Sequence, residues 1–216
     1  MADRARARPG GRTARTRTAV LEATVAELAT HGHHALTVER VALRAGVHKT
    51  TIYRRWGGKA GLLAEAVEAF AAAEAQLPDT GSVDEDLRRW ARSIITTLTT
   101  RQSGAVMSAL FRAPTDSPEL HELRRRFYTT RVALTAPIVE RAIQRHQLPA
   151  GTDAVEVIKQ VGAPLYYRHL IIEEPLTTAA ADLAAAAALA AARAGVFIQI
   201  NPATTRPGTD KQARGQ

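Results

Sequence analysis

Lys49, Thr50, Thr51, Tyr53, Arg54 and Arg55 follow one another within two helical turns, with no acidic residue among them. Such a set has the chemistry to hold a polyanion. Lysine and arginine neutralise phosphates, hydroxyls and a phenol donate to phosphate oxygens, and cationic or hydroxyl tips reach base edges in a groove.

These side chains need a platform, and the flanking residues describe one. Thr37 is placed to cap a helix, Glu39 favours its positive end, and Val38, Val41, Ala42 and Ala45 form one apolar stripe. Gly46 stands where the chain reverses, because only glycine takes a positive φ without steric cost, and Val47 plugs the angle between two helices. From about Lys49 to Trp56 a second helix turns Ile52 and Trp56 inward and the cationic set outward. Two short helices joined by a tight turn, the second loaded with groove-reaching side chains, read as a helix-turn-helix for double-stranded DNA. Ahead of it, Val20, Leu21, Val25 and Leu28 set an amphipathic helix that ends at Gly32 and braces the motif.

The segment resembles the DNA-binding domain of the TetR family of one-component transcriptional regulators. Its pattern T-x-x-x-(V/I)-A-x-x-A-G-V-(S)-x-x-x-(I/L)-Y-x-x-(F/W)-x-x-K is supplied here by Thr37, Val41, Ala42, Ala45, Gly46, Val47, Ile52, Tyr53, Trp56 and Lys59. The resemblance implies that the helix from Lys49 is the recognition helix and that Tyr53 and Lys59 contact phosphates. The expected DNA-facing set is Thr37, His48, Lys49, Thr50, Thr51, Tyr53, Arg54, Arg55 and Lys59. Two departures are visible. His48 stands where a serine cap is usual, and Gly57-Gly58 replaces a proline and a small polar cap, so looser helix entries are expected.

Charge segregation supports the same partner. The chain has 29 Lys and Arg against 21 Asp and Glu, a net charge of +8, and the entire excess falls within residues 1–60. A cationic head on a neutral body suits a polyanion. Residues 1–15 carry arginines 4, 6, 8, 12 and 15 with almost no apolar residue, and are expected to be a disordered basic arm. Two readings of the arm stand: a solvated tail, or an arginine arm that enters the minor groove or wraps phosphates. No secretory signal follows these charges, although an arginine-rich transit peptide is an alternative. Residues 201–216, rich in Pro, Thr, Gly and charge, are expected to be a disordered tail. There is no cysteine, which excludes disulfides and thiolate chemistry. The apolar runs are too short or too weakly hydrophobic to span a bilayer, so no membrane partner and a cytoplasmic location are expected.

Helical periodicity continues to the C-terminus, giving an all-α chain of about nine helices. The expected division is a helix-turn-helix domain over 16–58 and a helical ligand-binding and dimerisation domain over 59–200. Ser82 and Glu85 form a capping-box pattern, Pro137 is expected to kink a long helix begun at Ser117-Pro118, and helices are expected over about 153–172 and 178–197. Residues 179–194 are mostly alanine, which lets a neighbouring helix approach closely, and the preceding GAPLYYR segment resembles one C-terminal subgroup of the family. That likeness implies a homodimer through the last two helices, with Ala184, Ala187, Ala188 and Ala191 as its small-residue face.

The resemblance also implies a small-molecule effector bound within the body. Trp90, Met107, Phe111, Phe127, Tyr128, Arg131, Tyr166 and His169 are the candidates for lining its pocket, although core packing explains the large side chains better; Arg131 and His169, if they face inward, would favour an anionic or hydrogen-bonding ligand. His31, His33 and His34 surround the Gly32 turn and read as a polar helix end rather than a metal site. No P-loop, dinucleotide fingerprint, H-E-x-x-H or nucleophile elbow occurs, so neither cofactor nor enzymatic activity is expected. The sequence reads as a ligand-responsive repressor of a palindromic operator. The alternative is a sequence-tolerant architectural DNA-binding protein without a ligand.

Overall fold

The computed structural model describes residues 10–73, 77–112 and 117–198. Among them are ten α-helices: α1 (Gly10–Ala35), α2 (Val38–Ala45), α3 (Lys49–Trp56), α4 (Lys59–Ala73), α5 (Val83–Thr99), α6 (Arg101–Arg112), α7 (Pro118–Thr135), α8 (Pro137–Gln144), α9 (Ala154–Leu170) and α10 (Thr178–Arg193). The only strand-like pairing among the described residues is an isolated bridge between Thr152 and Ile198.

The all-α expectation holds, and the differences have local causes. Residues 10–15, expected in a disordered arm, are the opening turns of α1; residues 1–9 and the expected tail at 201–216 lie outside the described residues. Gly32 leaves the helical region at φ 72, so the last turn to Ala35 is a separate piece beyond a kink. Pro137 does more than kink its helix. It lacks an N–H to continue the ladder and occupies the first turn of a new helix, which divides the expected long element into α7 and α8. The Ser82 capping box is not made: the Ser82 side chain bonds no amide, the Val83 amide donates to Gln147 Oε1 at 2.9 Å, and buried Asp86 accepts the Thr80 amide and hydroxyl, each at 2.8 Å. The last helix stops at Arg193 rather than 197, with Gly195 at φ 78 turning the chain back so that the Asp153 amide donates to the Phe197 carbonyl at 2.7 Å.

The core is continuous from head to body. Val20, Leu28, Leu36, Val41 and Ile52 fill the space between α1, α2 and α3, while Leu62, Leu63, Ala66 and Val67 of α4 carry the same core towards Met107 and Leu110 of α6. Each such side chain contributes about 1.5–3 kcal/mol by leaving water. In the body α10 packs on α5 and α9, and α1 lies against α6. The head is therefore seated on the body along both α1 and α4.

The join between α3 and α4 is the tightest point. A Cβ at Gly61 would stand 1.8 Å from the Trp56 carbonyl oxygen, a backbone atom that cannot swing aside. Gly61→Ala is expected to destabilise the protein by about 3 kcal/mol or more, because relief requires moving α4 away from α3. Urea unfolding checks this; an unchanged midpoint would show that the join yields cheaply.

Candidate nucleic-acid interface

The recognition element begins at its turn. Thr37 caps α2 by accepting the Arg40 amide at 3.3 Å, and Gly46 adopts φ 65, with its neighbour's amide returning to the Ala42 carbonyl at 3.0 Å. α3 is capped by His48, whose Nδ1 accepts the Thr50 amide at 3.4 Å and lies 2.8 Å from the Thr50 hydroxyl. Imidazole thus takes the capping role of the usual serine. Gly57 closes α3 in the left-handed region at φ 73, with its amide on the Tyr53 carbonyl.

Ile52 and Trp56 are buried, which fixes the rotation of α3. Lys49, Thr50, Tyr53 and Arg54 are then exposed together, with Thr51 half-buried beside them. Arg55 is exposed but held: its Nη1 donates to the Thr13 carbonyl of α1 at 3.2 Å, and its guanidinium lies 5.1 Å from the Trp56 ring centroid. Lys59 differs from its expected disposition as well. Its ammonium donates to the His33 carbonyl at 2.5 Å, closing the kinked end of α1 onto the start of α4, and burial holds its pKa below the usual lysine value. Of the expected set, Lys49, Thr50, Thr51, Tyr53 and Arg54 share one accessible face, while Thr37 and His48 serve as caps and Arg55 and Lys59 are tied to α1.

Glu27 was not singled out from the sequence, and it organises the back of the motif. Its carboxylate is 3% exposed. Arg40 and Arg44 of α2 each donate Nε to one of its oxygens at 2.7 Å, and the His31 ring nitrogen lies 3.1 Å away. The Arg40 hydrogen bond is the largest influence on its pKa; with Arg44 it outweighs burial and lowers the value to about 2. The available signal was an acid at helical spacing among Val20, Thr24 and Leu28 on the inward face of α1. On the other side Glu65 of α4 pairs with Arg17 and accepts the Trp56 indole N–H at 3.3 Å. Among the described residues no three His, Asp or Glu converge as metal ligands. Burial, then the charges of Lys59 and His34, hold His33 below the ordinary histidine pKa.

The candidate pocket residues separate into two groups. Met107, Phe127, Arg131 and Tyr166, with Phe70 and Ile94, line a narrow cavity of about 10 Å³. Trp90, Phe111, Tyr128 and His169 are not in its wall. Trp90 packs near Gly162, and its indole nitrogen is buried without a hydrogen-bond partner. Phe111 and Tyr128 join Phe127 and Tyr166 in an aromatic cluster with ring centroids 5.3–5.9 Å apart. Desolvation, and then Tyr166, raise the Tyr128 pKa. His169 lies in the last turn of α9.

Residues 20–66 match the bacterial regulatory proteins of the tetR family, and residues 77–188 match the tetracyclin repressor-like C-terminal domain. The HTH-type transcriptional regulator AqdR of Rhodococcus erythropolis is 35% identical over 169 residues, covering 76% of this chain and 80% of that protein. YdeS of Bacillus subtilis strain 168, an uncharacterized HTH-type transcriptional regulator, is 31% identical over 156 residues, covering 72% and 79%. Among solved structures, the TetR family transcription regulator SCO0332 superposes with a TM-score of 0.66 at 32% identity, covering 81% of this chain and 97% of that one. The SmeT-triclosan complex shares the fold, with a TM-score of 0.64 at 24% identity over 93% of this chain and 99% of its own. The chain belongs to the TetR family of bacterial transcriptional regulators.

Two measurements test this geometry. Glu27→Gln is expected to cost about 1.5–3 kcal/mol near neutral pH, the range for hydrogen bonds to charged groups. Because the folded pKa is depressed from 4.5 to about 2, the charge-linked stability is present above 4.5 and lost as pH falls towards 2. The wild-type advantage over Glu27→Gln should fade across that window, and an acid-independent difference would contradict it. Separately, Lys49→Ala and Thr51→Ala should weaken specific DNA binding more than nonspecific binding, whereas Tyr53→Phe should weaken both alike. Competition titrations decide; equal losses for Lys49→Ala on both DNAs would move base reading to another face.

Proposed function

We propose that this chain is a homodimeric repressor whose paired heads bind the two half-sites of a palindromic operator and are released by a small-molecule effector. The observation that carries the reading is the acid-free outer face of α3, where Lys49, Thr50, Tyr53 and Arg54 stand exposed on a helix anchored by buried Ile52 and Trp56. The recognition helix is then α3, with Lys49, Thr51 and Arg54 towards bases and Tyr53 towards phosphate. The family's regulatory role and this site, which offers binding but no reaction chemistry, favour a non-enzymatic protein acting in the cytoplasm, with no cofactor.

Dimerisation through α9 and α10 is supported by the face they leave uncovered. Tyr167, Ile171 and Leu183 are 55%, 69% and 63% exposed. Ala186, Ala187 and Ala190 continue the exposed stripe of α10, whereas Ala184 and Ala188 are buried within the subunit. The small-residue contact face expected at 184, 187, 188 and 191 is therefore shifted round the helix to 183, 186, 187 and 190. An apolar face of this kind suits an isologous contact, and two linked heads gain affinity that one cannot.

The coupling element is α4, which runs from the head core into contact with α6 and α7. An effector that binds better to the arrangement unable to span both half-sites weakens operator binding by the same factor, by linkage. SmeT is named in complex with triclosan, which supports a small-molecule site in this fold.

The double substitution Ala187→Arg with Ala190→Arg places charge on the proposed contact without filling the subunit core. Sedimentation should report a folded monomer, and footprinting of the wild type should show a few protected sites, each with two half-sites, that the variant loses. A dimer that survives both arginines would put the interface elsewhere. Uniform wild-type protection along any DNA would favour an architectural protein.

A further inference from the structure

Two adjoining depressions run along the seam between α4 and α7. The one at the head end, about 500 Å³, is bounded by Trp56, Gly58, Lys59 and Gly61 on one side and by Glu119, Leu120 and Arg126 on the other. The second, about 360 Å³, lies between Val67 and Ala71 of α4 and Phe127 and Leu134 of α7. They meet at Leu123 and Arg126, which line both. The distance along α4 from Lys59 to Ala71 is about 18 Å at a helical rise of 1.5 Å per residue.

The seam is chemically divided. Its floor is apolar, with Leu120, Leu123 and Phe127 at 7%, 4% and 6% exposure, and Leu134 extends it to a rim that is 51% exposed. Its middle carries an available cation. Arg126 is exposed and makes no ion pair among the described residues, and Glu122, the acid one turn before it, is bonded to Arg125 at 2.8 Å. At the head end Gly57 and Gly58 leave no side chain over the first turn of α4, whose amides add positive potential. The other charges are Lys59, bonded to the His33 carbonyl, Glu119, which accepts the Ser117 hydroxyl at 3.2 Å, and Glu68 on the far rim.

We propose that the α4–α7 seam binds an amphipathic organic anion, its apolar rings or chain on Leu123, Phe127 and Leu134 and its carboxylate or sulfonate on Arg126. The apolar floor alone selects no particular amphiphile. The Arg126 guanidinium, without an ion pair among the described residues, supplies the polarity, because a charge-assisted bond there leaves Glu122 on Arg125. Phe127 and Ala71 also line the narrow cavity of the body, so an occupant of the seam touches residues shared with it. An occupant of the seam touches α4 and α7 together; its consequence for DNA rests on the repressor reading, and the binding itself does not.

The full-length protein, without DNA, is titrated with 1-anilinonaphthalene-8-sulfonate, which joins apolar rings to one sulfonate, and fluorescence reports occupancy. Saturable binding is expected, with Arg126→Ala and Leu134→Glu each raising the Kd about tenfold. Both positions are exposed, so melting should be unchanged, and Arg89→Ala, an exposed arginine of α5, should bind as the wild type does. Decanoate should displace the probe and decanol should do so far less well. Wild-type affinity in both seam variants would overturn the site, and equal displacement by decanol would overturn the anion. Failure of operator binding with these results intact would fault the repressor reading alone.

Discussion

The contact on which the arrangement depends is the abutment of Gly61 on the Trp56 carbonyl. It sets α4 directly against the end of α3, so the two cannot change their mutual angle without opening a backbone contact. α4 then carries Leu62 and Leu63 into the head core and Val67 into the core shared with the body. A displacement at the far end of α4 therefore reaches α3 as a rigid movement. Glu65 reinforces the join by holding Trp56 and Arg17 together from α4.

The same head sorts its cations. Net positive charge brings a protein to DNA, but it does not say which arginines touch it. Here Arg40 and Arg44 are held from behind by Glu27, Arg17 by Glu65, and Arg55 by the Thr13 carbonyl. Lys49 and Arg54 stand on the exposed face of α3. Fixing part of the charge in internal pairs aligns α1 with α2 and α3, and it confines the adaptable cations to the surface proposed to make base contacts. The short, bifurcated grip on Glu27 also avoids an uncompensated buried carboxylate, which would otherwise be strongly destabilising.

The head was legible because its signals are local. Gly46 with a positive φ, the Thr37 cap, and the burial of Ile52 and Trp56 all follow from residue type and spacing within a short segment. The pairings that cross the chain were not legible. Glu27 meets arginines on another helix, Lys59 reaches back to the His33 carbonyl on α1, and the first amide of α5, at Val83, goes to the Gln147 side chain rather than to Ser82. Periodicity placed an alanine face on α10 but could not say which side met the subunit's own core; that depends on where α5 and α9 lie. Of the eight aromatic and polar candidates in the body, spacing alone could not separate the four around the cavity from those packed beyond it.

That cavity constrains how an effector acts. A space of about 10 Å³ holds no more than a water molecule, whereas small-molecule sites begin near 300 Å³. Opening that much volume inside a packed core costs about 7 kcal/mol at 24 cal/mol per Å³, comparable to the whole binding free energy of a micromolar ligand. A ligand that enters the interior must therefore recover most of its own contact energy in rearranging Phe70, Phe127 and their neighbours, and little remains as affinity. The seam between α4 and α7 already stands open, so its occupant need not create the space it fills. Because α4 borders both places, an effector under the proposed function could act on the head from either, but the seam would do so with less rearrangement of the core. On energetic grounds the outer seam is the better place for a weak or abundant signal, and the closed interior is suited to a ligand whose contacts are strong enough to rebuild it.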